Sequence, residues 1–227
     1  MSTLKYALYD PLQGGCSYLP LPTDIQAKNA VFNFQNTDDE CFRWSILAAV
    51  AMKNSALVQP KDISGMARVA KLKRVDTFDW KACVWPMPIE GRRFAAFEAA
   101  NPTVSLNVLG LEPEDDGHSH APFPIYATVQ PNVLHKITLL FHYDEEVGFG
   151  HYSLVRDLSR LMVHRRTVNN NRRSHYCHAC LRPFVDEVAL ARHVTIGDCR
   201  DRPVLTRDVL PEPKDAMLAF LTCRECL

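Results

Sequence analysis

Cys177-His-Ala-Cys180, His193 and Cys199 constrain this chain more tightly than any other feature, in the spacing C-x2-C-x12-H-x5-C. Two thiols separated by two residues can grip one ion from a tight turn. Twelve further residues suffice for a strand end, a turn and most of a short helix before the third ligand arrives. Zinc takes four nitrogen or sulfur ligands tetrahedrally, and this spacing supplies them. The spacers agree: Phe184 and Leu190 stand where a two-Cys, two-His ββα unit keeps its core aromatic and core leucine. The pattern predicts a small ββα zinc finger over 176–200, with one structural Zn2+ and Cys199 in place of the last histidine.

The remainder of the 227 residues is long enough for one sizeable domain, and a 47% hydrophobic composition can fill its core. Formal net charge is zero. Bulk charge therefore points to no partner, and any nucleic-acid surface must be a local patch. Of eight cysteines, three belong to the finger, Cys223 and Cys226 form half of a metal site, and Cys16, Cys41 and Cys83 stand alone. That usage suggests thiols and metal in a reducing compartment rather than a disulfide framework. The C-terminal pair could meet Cys16 or Cys83 in space. No basic-plus-apolar leader opens the chain, and no apolar run approaches the ~20 residues that span a bilayer. The expectation is a soluble intracellular protein with no membrane partner.

Along the chain, Pro11, Gly14, Gly15, Pro20 and Pro22 predict an irregular arm over 1–30. Val31–Phe34 reads as a short strand. The run from Cys41 to Met52 is almost wholly apolar and predicts a buried helix. Residues 61–74 and 91–100 read as further helices. Val104-Ser-Leu-Asn-Val-Leu109 alternates apolar and polar, as a half-buried strand does. Phe123–Val129, Ile137–Tyr143 and His151–Arg156 are further strands, with a turn at Asp144–Glu146. Pro113–His120 reads as an exposed acidic loop in which His118 and His120 lie at the surface. Helices first and strands after predict an α+β domain over 31–162, followed by a linker (163–175), the finger (176–200) and a tail (201–227).

A second constellation joins Asp38-Asp-Glu-Cys41 to Gly150-His151-Tyr152-Ser153. A helix N-terminus and a neighbouring imidazole lower a thiol's pKa and make it a nucleophile. Cys41 opens the apolar helix and His151 opens a distant strand. Asp38-x-x-Cys41 and Gly-His-Tyr resemble the two motif ends of ovarian-tumour-type (OTU) cysteine peptidases. The resemblance implies a papain-like α+β fold with Cys41 as nucleophile, His151 as general base, Asp38 or Asp157 orienting the imidazole, and a ubiquitin-like substrate. The glycine usual before the acidic/Cys pair is absent, and Ser153 stands where Asn or Asp is usual. Two other readings stay open: an inactive relative of that fold, or a thiol and a histidine that simply pack in the core.

Arg156, Arg160, Arg165, Arg166, Arg172 and Arg173 surround Asp157 alone between 156 and 175. Cations on a linker can follow phosphates without reading sequence, which predicts non-specific DNA or RNA contact by Arg160, Arg165, Arg166, Arg172 and Arg173. In a DNA-reading finger, base contacts come from three helix positions, here Asp186, Ala189 and Arg192. Only Arg192 suits a base, guanine, so sequence-specific reading is not expected.

Asn36–Ser45, His151–Leu161 and Tyr176–Cys180 with Phe184, His193 and Cys199 occur in that order. Together they resemble the segment ahead of the polymerase core in protein-primed family B DNA polymerases of Polinton/Maverick elements and related viruses. Asn101–Gly110 and Leu210-Pro-Glu-Pro213 are also similar, and the resemblance covers roughly residues 18–215. It implies a mobile-element or viral origin, a place beside DNA replication in the nucleus or cytoplasm of a host cell, and a replication protein as a possible docking partner. The acidic metal motif that begins the exonuclease domain of that family does not occur before Leu227, so neither exonuclease nor polymerase activity is expected of these residues.

Overall fold

The computed structural model describes residues 18–53, 72–114, 117–128, 130, 133–144, 146–163 and 174–197. Its centre is a mixed five-stranded sheet in the order β1-β5-β4-β2-β3, formed by β1 (Val31–Phe32), β2 (Val104–Pro113), β3 (His120–Tyr126), β4 (His135–Asp144) and β5 (Phe149–Val155). β2 runs parallel to β4, and the remaining pairs are antiparallel. The fold is α+β, and among the described residues no helix is long and apolar enough to cross a membrane.

Successive strand residues face opposite sides of a sheet, and each side of this one carries its own core. Val104, Leu106, Val108, Ile137, Leu139, Phe141, Tyr152 and Leu154 face α2 (Cys41–Lys53) and α3 (Gly91–Ala100). α2 buries ten of its thirteen residues, as an apolar run without a polar stripe must. Phe42 sits edge-on to Phe97 and Tyr152, with ring centroids 5.4 Å apart in each pair. Asp38 closes the start of α2. Its Oδ1 accepts the Glu40 amide at 3.1 Å and the Trp44 indole Nε1–H at 2.8 Å.

The second face is covered by α1 (Thr23–Ala27), α4 (Leu158–Leu161) and a C-terminal unit made of the hairpin β6 (His175–Tyr176) and β7 (Pro183–Phe184) with α5 (Glu187–Ile196). Leu21, Ile25, Ala30, Leu109, Leu140, Val155 and Leu161 form its core, with Leu181 of the C-terminal unit packed against them. Residues 18–30 are thus part of the domain and not an arm. Pro20 and Pro22 hide the pattern, yet Leu19, Leu21, Ile25 and Ala30 are buried. His120, expected at the surface, places Nδ1 2.9 Å from Asp24 and ties the start of β3 to α1.

β2 corrects another expectation. Its polar alternate residues, Ser105 and Asn107, are fully buried rather than facing solvent, because the C-terminal unit lies on them. The helix expected over 61–74 falls mainly outside the described residues.

Candidate metal centre and thiol site

The C-terminal unit is built by local chemistry. The carbonyl of Cys177 accepts the Leu181 amide at 2.8 Å and the Cys177 amide donates to Arg182 at 3.0 Å, which folds the intervening residues into a knuckle. Leu181 closes that knuckle with φ 56°, a left-handed conformation unusual for leucine. Its side chain is held against the second core. Asp186 caps α5 by accepting the Ala189 amide at 2.7 Å, and Gly197, at φ 71°, ends it as a left-handed C-cap.

This geometry brings Cys177, Cys180 and His193 together. Their ligand atoms all lie within 4.8 Å of one another, and the Cys180 Sγ to His193 Nε2 distance is 3.3 Å. Cys177 and His193 are buried, and Phe184 packs on the His193 ring at a centroid distance of 4.6 Å. The group can hold a metal ion. Cys199, the expected fourth ligand, lies outside the described residues.

His178, between the two thiols, performs a task that ligand spacing does not reveal. Its Nε2 lies 2.9 Å from the Ser105 hydroxyl, and its carbonyl accepts the Asn107 side-chain amide at 2.7 Å. Asn107 Oδ1 in turn accepts the Thr128 amide at 3.0 Å. The knuckle is therefore plugged into β2 by a buried polar chain. Burial pushes the His178 imidazole down to about 4, and the charges of Lys136 and Lys53 add to the shift, so it docks in its neutral form.

On the other face of the sheet, Cys41 is buried in the first turn of α2, and its sulfur accepts the Tyr152 amide at 3.4 Å. Ser45, one turn on, donates its hydroxyl to the Tyr152 carbonyl at 2.9 Å. The thiol is thereby held against β5 at the peptide that follows His151. Gly150 precedes that histidine for a packing reason: a Cβ there would come 1.9 Å from the Phe141 ring. Tyr152 faces α2 while His151 lies on the other face, beside His142 (centroids 5.8 Å) and edge-on to Tyr18 (6.3 Å). Burial, then the neighbouring His151, drives His142 down to about 4.

The two carboxylates expected to orient His151 are engaged elsewhere. Asp38 holds the Trp44 indole and the start of α2. Asp157 caps α4 by accepting the Arg160 amide at 3.0 Å, and it also pairs with the Arg160 guanidinium at 3.3 Å. Ser153 directs its hydroxyl to Asn33 at 3.2 Å. Of the expected nucleic-acid contacts, Arg192 is exposed on α5 and Arg160 is the partner of Asp157. Arg165, Arg166, Arg172 and Arg173 lie outside the described residues. The chain leaves them at Val163 and returns at Ser174, whose carbonyl accepts the Ser159 hydroxyl.

No family model, curated protein or solved structure matches this chain. What the site can do rests on its own residues.

Proposed function

We propose that this protein is a zinc-binding accessory module of a mobile-element or viral replication system, one that binds nucleic acid without reading its sequence. The observation that carries this reading is the docking of the knuckle on β2, with the ends of the arginine-rich segment joined beside it by Ser159 and Ser174. Zinc suits the ligands: a tetrahedral zinc with ordinary Zn–S and Zn–N bonds puts sulfur and nitrogen about 3.6 Å apart, close to the 3.3 Å between Cys180 and His193. Cys199 would complete the shell of this ββα zinc finger.

Sequence reading by α5 is not part of the proposal. Asp186 is spent on its cap, Ala189 offers no polar group, and Val185 and Val188 are exposed beside them. The resemblance of residues 36–45, 151–161 and 176–199 to the segment ahead of protein-primed polymerases supports a place beside replication. The same apolar α5 surface would serve the docking of a replication protein. Anisotropy titrations of the zinc-loaded protein with labelled DNA and RNA test the reading. Affinity should fall steeply and log-linearly with salt, and absent or salt-independent binding refutes it.

A second reading is favoured by one contact, the 3.4 Å approach of Cys41 Sγ to the amide following His151. In an OTU/papain-like (iso)peptidase, the His151 ring, which here lies beside His142 on the other face of β5 from Tyr152, would have to reach round the strand to take the Cys41 proton as sulfur attacks the substrate carbonyl. It would then pass that proton to the leaving amine as the C–N bond breaks, and water would release the acyl group. Labelling by an electrophilic ubiquitin probe, lost in both Cys41→Ala and His151→Ala, is the expected result; labelling that survives Cys41→Ala removes this reading. If neither activity is found, the domain is a structural remnant of that fold.

A further inference from the structure

A groove of about 380 Å³ lies between the C-terminal unit and the second face of the sheet, lined among others by Lys136, Arg156, Ser159, His175 and Tyr176. Among the described residues Lys136 has no carboxylate within ion-pair distance, and the Arg156 guanidinium reaches only the neutral Asn29, 3.0 Å from its side-chain oxygen. Asp157, the one acidic residue among the described residues of the groove wall, is turned to Arg160 and the start of α4. Lys53 adds to the positive side, donating to the Lys136 carbonyl at 3.4 Å. Burial and the charge of Lys136 both make the Lys53 ammonium easier to deprotonate. Like charges held together at a concave surface leave a site that an anion relieves.

The shape selects among anions. The volume lies within the range of sites that hold small ligands or ligand segments. The hairpin residues His175 and Tyr176 bring rings to the same wall, where an unpaired base can stack. We propose that this groove binds the backbone of single-stranded nucleic acid, with Lys136 and Arg156 on successive phosphates and Tyr176 beneath a base. The inference rests on the nucleic-acid reading above and moves its centre from the linker to a formed site.

The test uses the full-length, zinc-loaded chain and fluorescein-labelled 12-mers, single-stranded and as the matched duplex, over a salt series. Lys136→Glu/Arg156→Glu should weaken single-strand binding at least tenfold and reduce the salt slope by about 1.4, the value for two lost phosphate contacts. Lys81→Glu, which reverses a charge on a side chain 93% exposed, should stay within twofold of the parent. Retained zinc content and an unchanged circular dichroism spectrum establish that the double variant is folded. A double variant that binds within twofold of the parent overturns the groove and leaves the linker arginines as the nucleic-acid site. Tighter binding to the duplex overturns the single-strand assignment. Competition by a mononucleotide as strong as by the 12-mer shows a free-nucleotide pocket instead. No binding of any oligonucleotide at low salt ends both the groove and the reading on which it rests.

Discussion

The two faces of the sheet are buried by different means. Under α2 and α3 the contacts are apolar, with rings and aliphatic side chains interleaving over Phe42, Phe94, Phe141 and Tyr152. Under the C-terminal unit and residues 18–30, Ser105, Asn107, Thr138, His142, His151 and Ser153 are all buried. Apolar burial tolerates any partner of the right volume. A buried polar group needs a particular partner, because one left without a hydrogen bond costs about 1–3 kcal/mol. The first face could be covered by many helices. The second is specified by a few contacts, and Cys177 and Cys180, two candidate metal ligands, flank the residue that makes one of them, His178.

Metal removal should break the second face first and most severely. Stripping the ion with a chelator, or replacing Cys177 with Ser, should unfold residues 174–197, since small metal-bound units fold on their ion. Without the knuckle, Ser105 and Asn107 lose their cover, so amide exchange in β2 should accelerate along with that of the hairpin. The melting temperature should drop by roughly 10 °C, on the scale of about 2–4 °C per kcal/mol for a chain of this size. Exchange confined to the C-terminal unit, with β2 unchanged, would show that docking adds nothing to the domain.

Among the described residues the apolar face buries one carboxylate, which gives the next largest effect. Glu98 of α3 is fully buried. It accepts the Leu106 amide at 2.6 Å, the Thr128 hydroxyl at 2.5 Å and the Tyr126 hydroxyl at 2.5 Å. Burial and this hydrogen bond push the Tyr126 phenol well up. Glu98→Ala strands three donors, and chemical denaturation should show a loss of about 3–5 kcal/mol, on the scale of about 1–3 kcal/mol for each buried group left without a hydrogen bond. A loss under about 1 kcal/mol would mean that water replaces the carboxylate and that this face, too, tolerates any partner.

The unequal faces also set how much the sequence disclosed. α2 and α3 were readable over almost their whole length, because an apolar run or an apolar period has one sensible solution. The ligand cluster was readable from spacing, since its geometry is local. β2 was misread as half-buried: alternation of Val104, Leu106 and Val108 with Ser105 and Asn107 cannot say that another unit will cover the polar side. For the same reason Asp38 and Asp157 looked available to His151. Each is spent on the helix that begins beside it, and N-capping is as good a use of an aspartate as catalysis. His178 was visible only as a spacer between two thiols, and the Lys136–Arg156 groove joins residues from β4 and the end of β5 that no motif connects.

Acid should separate the faces again, with a smaller effect. His142 titrates near 6.5 when unfolded and only at about 4 in the native state. Its lowered native pKa means that the unfolded state binds the extra proton between those values. The stability held above pH 6.5 is therefore lost as pH falls toward 4, by about 3 kcal/mol at most. Urea midpoints measured from pH 7 to pH 4 should decline, and His142→Phe should flatten the decline. An unchanged slope in the variant would place the acid sensitivity on other groups.

The smallest effect isolates the docking contact itself. Asn107 donates to the His178 carbonyl at 2.7 Å and accepts the Thr128 amide at 3.0 Å, so Asn107→Ala strands a half-buried carbonyl and a buried amide while leaving Cys177, Cys180 and His193 in place. A loss of about 1–3 kcal/mol follows, detectable as a lower urea midpoint with full metal content. The variant also discriminates between two ways the unit could be held. If Leu181 packing against the second core dominates, Asn107→Ala costs little and Leu181→Gly costs more, despite relieving the left-handed backbone at that residue. If the polar chain dominates, the order reverses. The groove between the unit and the sheet then depends on Asn107, and single-strand affinity should fall with stability although no phosphate-facing charge has been touched.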